Sequence, residues 1–201
     1  MRVFAFSLLF SVSLFAQNST SSDFFPIPKG LDKVWPNAVL SDKEESLLRK
    51  AVEPDLRALE RENDCTQETS TFDSVDKTRL PLGKLGNGIF VATNSSCVCA
   101  KAGCPVYLYL PEKYRYRGVL SGDGEVAVGW AFALVDSRSG IPDLVLASNP
   151  GHGVVVLTKY RYLGGKFVSH ACEKLVAKNW PDSPNSWWIA SEVNIQPCEG
   201  R

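Results

Sequence analysis

The chain has 201 residues, 44% of them hydrophobic and 22% charged, a composition that sustains a packed core and excludes a disordered polymer. Lysine plus arginine and aspartate plus glutamate both number 22, so the formal charge is zero. That balance offers no basic footprint for phosphates, which excludes nucleic acid as an expected partner, and no charge block marks a tail.

Residues 1–16 carry one early cation, Arg2, and then an apolar run ending at Ala16. The run is roughly 13 residues, too short to span a bilayer comfortably, and reads as a secretory signal cleaved near Ala16. No later stretch is long and apolar enough to cross a membrane. The expected location is therefore secreted or periplasmic, with no membrane span in the mature chain. Residues 17–38 are rich in Ser, Pro and Asn and read as a linker or arm. Its aromatics Phe24, Phe25 and Trp35 are expected to pin it to the domain.

A helical segment is expected over 39–64. Ser41 and Glu44 fit a capping box, with Leu40 placed to staple onto the first turn. Leu47, Leu48, Ala51, Val52, Leu56 and Leu59 recur at helical spacing with charges between them, giving one apolar face for a sheet. Pro54 lacks an amide hydrogen and clashes with the preceding turn, which predicts a kink or two short helices ending near Glu62.

Residues 65–201 are expected to form a disulfide-tied β domain. Residues 66–77 are polar and read as loop, and 80–88 as turn, with Asn87-Gly88 a tight-turn pair. Strands are predicted over 89–93, 106–110, 115–120, 126–135, 144–147, 154–162 and 167–172, with one more over 189–195. Connections this short permit antiparallel hairpins and not parallel crossovers. In 154–162, Val154, Val156, Thr158, Tyr160 and Tyr162 share one face, and Val155, Leu157, Lys159 and Arg161 the other. The expected fold is mainly β (α+β): an antiparallel meander of about six to eight strands, closed or nearly closed, with the helix packed on it.

Cys65, Cys97, Cys99, Cys104, Cys172 and Cys198 all follow the signal, and three lie within eight positions of one another. An even number in an exported chain favours three disulfides over a zinc site, whose ligand spacing the C-x-C-x4-C cluster does not match. The spacing favours a small loop closed by Cys104 with Cys97 or Cys99. The other of those two would then join Cys172, and Cys65 would join Cys198.

Catalytic machinery is hard to assemble from the rest. The two histidines, His152 and His170, lie in a turn and near a strand end with no nucleophile motif beside them. Carboxylate pairs such as Asp123 with Glu125 are candidates for glycoside hydrolysis, but these two sit in a tight Gly-Asp-Gly-Glu turn. That turn and 136–143 are oxygen-rich, yet neither shows the Asp/Asn alternation of a calcium loop. No catalytic residue, metal or cofactor is therefore expected. Trp180, Trp187 and Trp188, three of the five tryptophans, are the binding candidates: a platform for a glycan or protein partner, or else a cover over the sheet. Tyr107, Tyr109, Tyr114, Tyr116, Tyr160 and Tyr162 are candidates to line one face, with packing as their ordinary use.

At Cys97-Val98-Cys99, Gly103-Cys104-Pro105-Val106-Tyr107, Gly140-Ile141-Pro142-Asp143-Leu144-Val145 and Tyr160-Arg161-Tyr162 the chain resembles a set of exported bacterial β-rich proteins. The Gly140–Val145 run with the tyrosine-rich hairpin is also similar to the repeat unit of FG-GAP β-propellers. These resemblances imply compartment and fold class. The expected function is an exported, disulfide-stabilised binding module, inhibitor-like in character. The alternatives are a secreted hydrolase using a carboxylate pair and a purely structural envelope domain.

Overall fold

The structure, a computed structural model, describes residues 31, 34–65, 72–100, 102–121, 127–151, 153–177 and 193–198. The expected signal, the Asp123–Glu125 pair, His152 and the three tryptophans of 180–188 lie outside these residues.

Helix α1 (Asp42–Glu62) begins where the capping box placed it. The Glu44 amide donates to the Ser41 hydroxyl, and the Ser41 amide donates to the Glu44 carboxylate at 2.9 Å. It runs as one element through Pro54 instead of dividing in two. The ring costs about 3 kcal/mol in a helix interior, but Leu48 and Val52 before it and Leu56 and Leu59 after it are all buried on one face. Burial on both sides of Pro54 holds the helix together across the lost hydrogen bond.

Eleven strands follow among the described residues, in two sheets. The first holds β1 (Asp76–Pro81), β2 (Asn87–Ala92), β3 (Cys104–Pro111) and β4 (Tyr116–Gly118) in that order, with β6 (Val128–Gly129) also on β3. The second runs β11 (Val193–Pro197), β10 (Lys166–Ala177), β9 (Val154–Leu163), β8 (Asp143–Gly151) and β7 (Ala131–Val135), with β5 (Leu120–Ser121) beside β10. Ten strands pair antiparallel; β5 alone runs parallel to its neighbour. Each sheet is a meander, as short connections require.

The strand count exceeds the expected number for three reasons, the simplest being that the run expected over 126–135 divides at Trp130 into β6 and β7. β1 has the composition of loop and turn, since Asp-Lys-Thr-Arg-Leu-Pro shows no apolar alternation, yet it pairs with β2 over its whole length. The run expected over 115–120 splits at Val119, whose amide donates to Leu108 at 2.7 Å while its carbonyl accepts from Phe167 at 2.6 Å. Val119 thus joins the two sheets. Arg117 adds to the joint, donating to the Gly165 carbonyl at 2.7 Å.

Alternation sorts the side chains into layers. Leu80, Phe90, Val106, Leu108 and Leu110 of the first sheet meet Leu144, Leu146, Tyr160 and Phe167 of the second in the inter-sheet core. Ile89, Val91, Tyr109 and Tyr116 face outward and take the apolar face of α1, together with Phe72 and Val75. There the Tyr109 hydroxyl donates to Asp55 of α1 at 2.5 Å. The outer face of the second sheet buries Val145, Ala147, Val155 and Leu157 with Leu31 of the arm. β9 therefore presents the two faces its alternation predicts, both apolar at its start. No helix among the described residues is long and apolar enough to cross a membrane.

Candidate functional site

The sheets are joined on the β4–β5 side, but β1 and β7 are outer strands of their sheets. Between them opens a groove of about 790 Å³, lined from both sheets and from the arm. That volume lies within the range of roughly 300–1,000 Å³ usual for small-molecule sites.

The groove exists because the inward face of the first sheet changes character along β1. Inward positions alternate as Asp76, Thr78 and Leu80. Leu80 is fully buried in the inter-sheet core, whereas Thr78 and Asp76 line the groove. The cations of the same strand point the other way. Arg79 donates to Glu44 at 3.0 Å and to the Val39 carbonyl at 3.2 Å. Lys77 donates to the Phe72 and Val75 carbonyls beneath α1, and burial lowers its ammonium pKa. One-residue alternation thus removes both positive charges of β1 from the groove.

The cysteine loop frames one end. Cys99 pairs with Cys104, closing the connection between β2 and β3. Thr93 fixes the exit of β2, its amide and hydroxyl both donating to the Pro105 carbonyl at 3.0 and 3.1 Å. β3 then lies so close to β6 that a Cβ on Gly103, whose φ is +137°, would fall 2.8 Å from the Gly129 carbonyl carbon. Only glycine fits that backbone and that approach. Asp76 stands opposite Ala92 in register, so Asp76 and Asn94 lie at the same end of neighbouring strands, and both line the groove.

The other wall is aromatic. Trp35 of the arm stacks on Phe132 of β7, centroids 5.2 Å apart and planes 20° apart, and Phe132 meets Phe90 at 4.3 Å. Backbone contacts seat the arm alongside: Asn37 bridges to Thr78, and the Ala38 amide donates to the Lys77 carbonyl at 2.7 Å. Trp35 thus pins the arm as its composition suggested. Trp130, at the β6–β7 junction, is 38% exposed, and Val34 of the arm 91%. Both line the groove. Two of the five large hydrophobic side chains exposed among the described residues therefore gather at one opening.

The residues singled out in the sequence are placed as follows. All six cysteines pair: Cys65 with Cys97, Cys99 with Cys104, and Cys172 with Cys198. The short Cys99–Cys104 loop is one of the two alternatives expected. The expected Cys65–Cys198 bridge and the link from the cluster to Cys172 are not formed, because β11 returns beside β10 and brings Cys198 next to Cys172. In 136–143, Lys84 donates its ammonium to the Ser139 carbonyl at 2.8 Å, and Asp143 accepts two hydrogen bonds from Arg161. A lysine and an arginine thus occupy oxygens that a cation would need. Among the described residues no three His, Cys, Asp or Glu side chains converge as a metal site.

The tyrosines divide across faces. Tyr107, Tyr109 and Tyr116 lie on the helix side, where burial raises all three pKa values, that of Tyr107 to about 12. Tyr160 and Tyr162 pack toward the inter-sheet core. Tyr114 is 72% exposed.

Sequence reasoning named Trp35 only as an anchor, left Asp76 in a polar loop with no calcium pattern, and did not single out Trp130, Phe132 or Asn94. The available signal was Asp76-x-Thr78 at inward positions of a strand, but it is invisible until β1 is known to be one. In comparison with known proteins, the chain matches no family model, no curated protein and no solved structure.

Proposed function

We propose that the chain is an exported, disulfide-stabilised binding module that receives its ligand in the groove between β1 and β7. The observation that carries this reading is the convergence there of the exposed Trp130 ring, the Trp35–Phe132 stack and the polar Asp76, Asn37 and Asn94. Concave sites that combine apolar walls with a few directed polar groups are the usual form of a ligand site. Three disulfides suit an oxidising compartment. Binding is favoured over carboxylate hydrolysis because Asp76 is the one carboxylate among the described lining residues, and glycoside hydrolysis uses two.

The test is a fragment screen followed by two-dimensional NMR on the folded, oxidised protein, with the Trp130 indole signal assigned from Trp130→Phe. Fragments that shift this signal together with the Asn94 and Thr78 amides support the groove. Fragments that shift only signals away from it, or a screen with no hits, overturn the reading.

A further inference from the structure

We propose that the end of the sandwich remote from Asp76 and Asn94 docks on an anionic lipid membrane. Register places four connections there. Ile89 pairs with Tyr109 and Leu144 with Tyr160, so 82–86 stands beside 112–115 in the first sheet and 136–142 beside 163–166 in the second. Across the sheets, the Lys84 amide donates to the Gly140 carbonyl at 3.1 Å, and Arg117 donates to the Gly165 carbonyl at 2.7 Å. The groove residues Asp76, Asn94 and Trp130 lie at the opposite end of the same strands. Docking here leaves them clear of the membrane.

The even balance of charge along the chain hides what the fold collects. These connections carry five cations, Lys84, Lys113, Arg115, Arg138 and Lys166, and two carboxylates, Glu112 and Asp136. All five cations are exposed. Glu112 accepts from Arg115 at 2.6 Å and from Arg117 at 2.7 Å, and the adjoining Asp143 accepts from Arg161. A chain of zero formal charge thus presents a net positive end, which orients it toward a negative surface.

Apolar tips choose the kind of surface. Tyr114 of the β3–β4 connection and Leu163 of the β9–β10 connection are both exposed. The Lys113 ammonium lies 5.0 Å from the Tyr114 ring centre, an arrangement that suits an aromatic at headgroup depth beside a cation reaching phosphate. The turns protrude: a Cβ on Gly86 or Gly164 would meet nothing within 4 Å. An acidic protein would need a recess for each tip, whereas a headgroup layer yields around both.

Vesicle flotation of the folded, oxidised protein tests this, with phosphatidylcholine alone and with phosphatidylcholine mixed with phosphatidylglycerol. Soluble poly-glutamate competes as the protein-like anion. Flotation is expected with the anionic vesicles only, and high salt should release the protein. Lys113→Glu with Lys166→Glu should weaken binding about tenfold or more, and Tyr114→Ser with Leu163→Ser about threefold or more. The same charge reversal on α1, Lys50→Glu with Arg57→Glu, should change it less than about twofold, because charges away from the contact are screened. Equal melting temperatures guard against a folding defect. No flotation, equal flotation with neutral vesicles, or an equal loss from the α1 variant overturns the assignment. So does binding that survives the serine variant and yields to poly-glutamate, the behaviour of a surface for acidic protein.

Discussion

The two sides of the inter-sheet space are built from the same strands to opposite ends. On the β4–β5 side, Val119 hydrogen-bonds to both sheets, and Leu110 and Phe167 fill the interior with apolar side chains. On the β1–β7 side, the inward positions become Asp76 and Thr78, the facing ring is half-buried Phe132, and the space stays open. Two more leucines there would have continued the apolar Leu80 pattern along β1 toward the arm. Polar residues at the inward positions of β1 thus distinguish the open side from the sealed one.

Breaking the sealed side should have the largest effect. Phe167 is fully buried, and Phe167→Ala is expected to cost about 3–5 kcal/mol in urea unfolding. The Cys65–Cys97 bridge spans 32 residues and ties the end of α1 to the loop that frames the groove. Replacing both cysteines by serine should cost on the order of 3–4 kcal/mol, largely through the unfolded chain. Asp55→Ala leaves the buried Tyr109 hydroxyl without its acceptor, at about 1–3 kcal/mol. A double-mutant cycle with Tyr109→Phe should recover part of that loss.

The open side should respond differently. Trp130→Ala is expected to change stability by no more than about 1 kcal/mol, the behaviour of a partly exposed side chain. A loss as large as that of Phe167→Ala would show the groove to be an extension of the core. The smallest effect is electrostatic. The Ser41 amide, with Arg79 next in weight, holds the Glu44 carboxyl at about 2, below its ordinary 4.5. A depressed carboxylate contributes stability in full above about 4.5, and that contribution is lost as pH falls through about 2. The melting-temperature difference between the parent and Glu44→Gln should shrink over that window, and solvent screening at this exposed site keeps it to about half a kcal/mol or less.

How much of this was legible depended on how local the signal was. The capping box, the apolar face of α1 and the alternation of β9 are each contained in one stretch, and each describes the observed element. β1 was not legible, since a charged outer strand ending in proline has the composition of a loop. Its strand character comes from pairing with Asn87–Ala92. The groove was less legible still. Trp35, Asp76, Asn94 and Trp130 are spread along the chain, and only the fold assembles them. The Cys99–Cys104 loop followed from proximity, whereas Cys172–Cys198 depends on where β11 docks.

The three bridges have a property that matters while the chain is being made. Each cysteine is joined to the next one along the sequence: 65 to 97, 99 to 104, 172 to 198. As the chain is made, its cysteines emerge in that order. An oxidant that links each newly emerged thiol to the previous unpaired one produces the native set without reshuffling. The first two bridges then close before any of the second sheet has emerged, so the frame of the groove is covalently fixed while its other wall is still unmade.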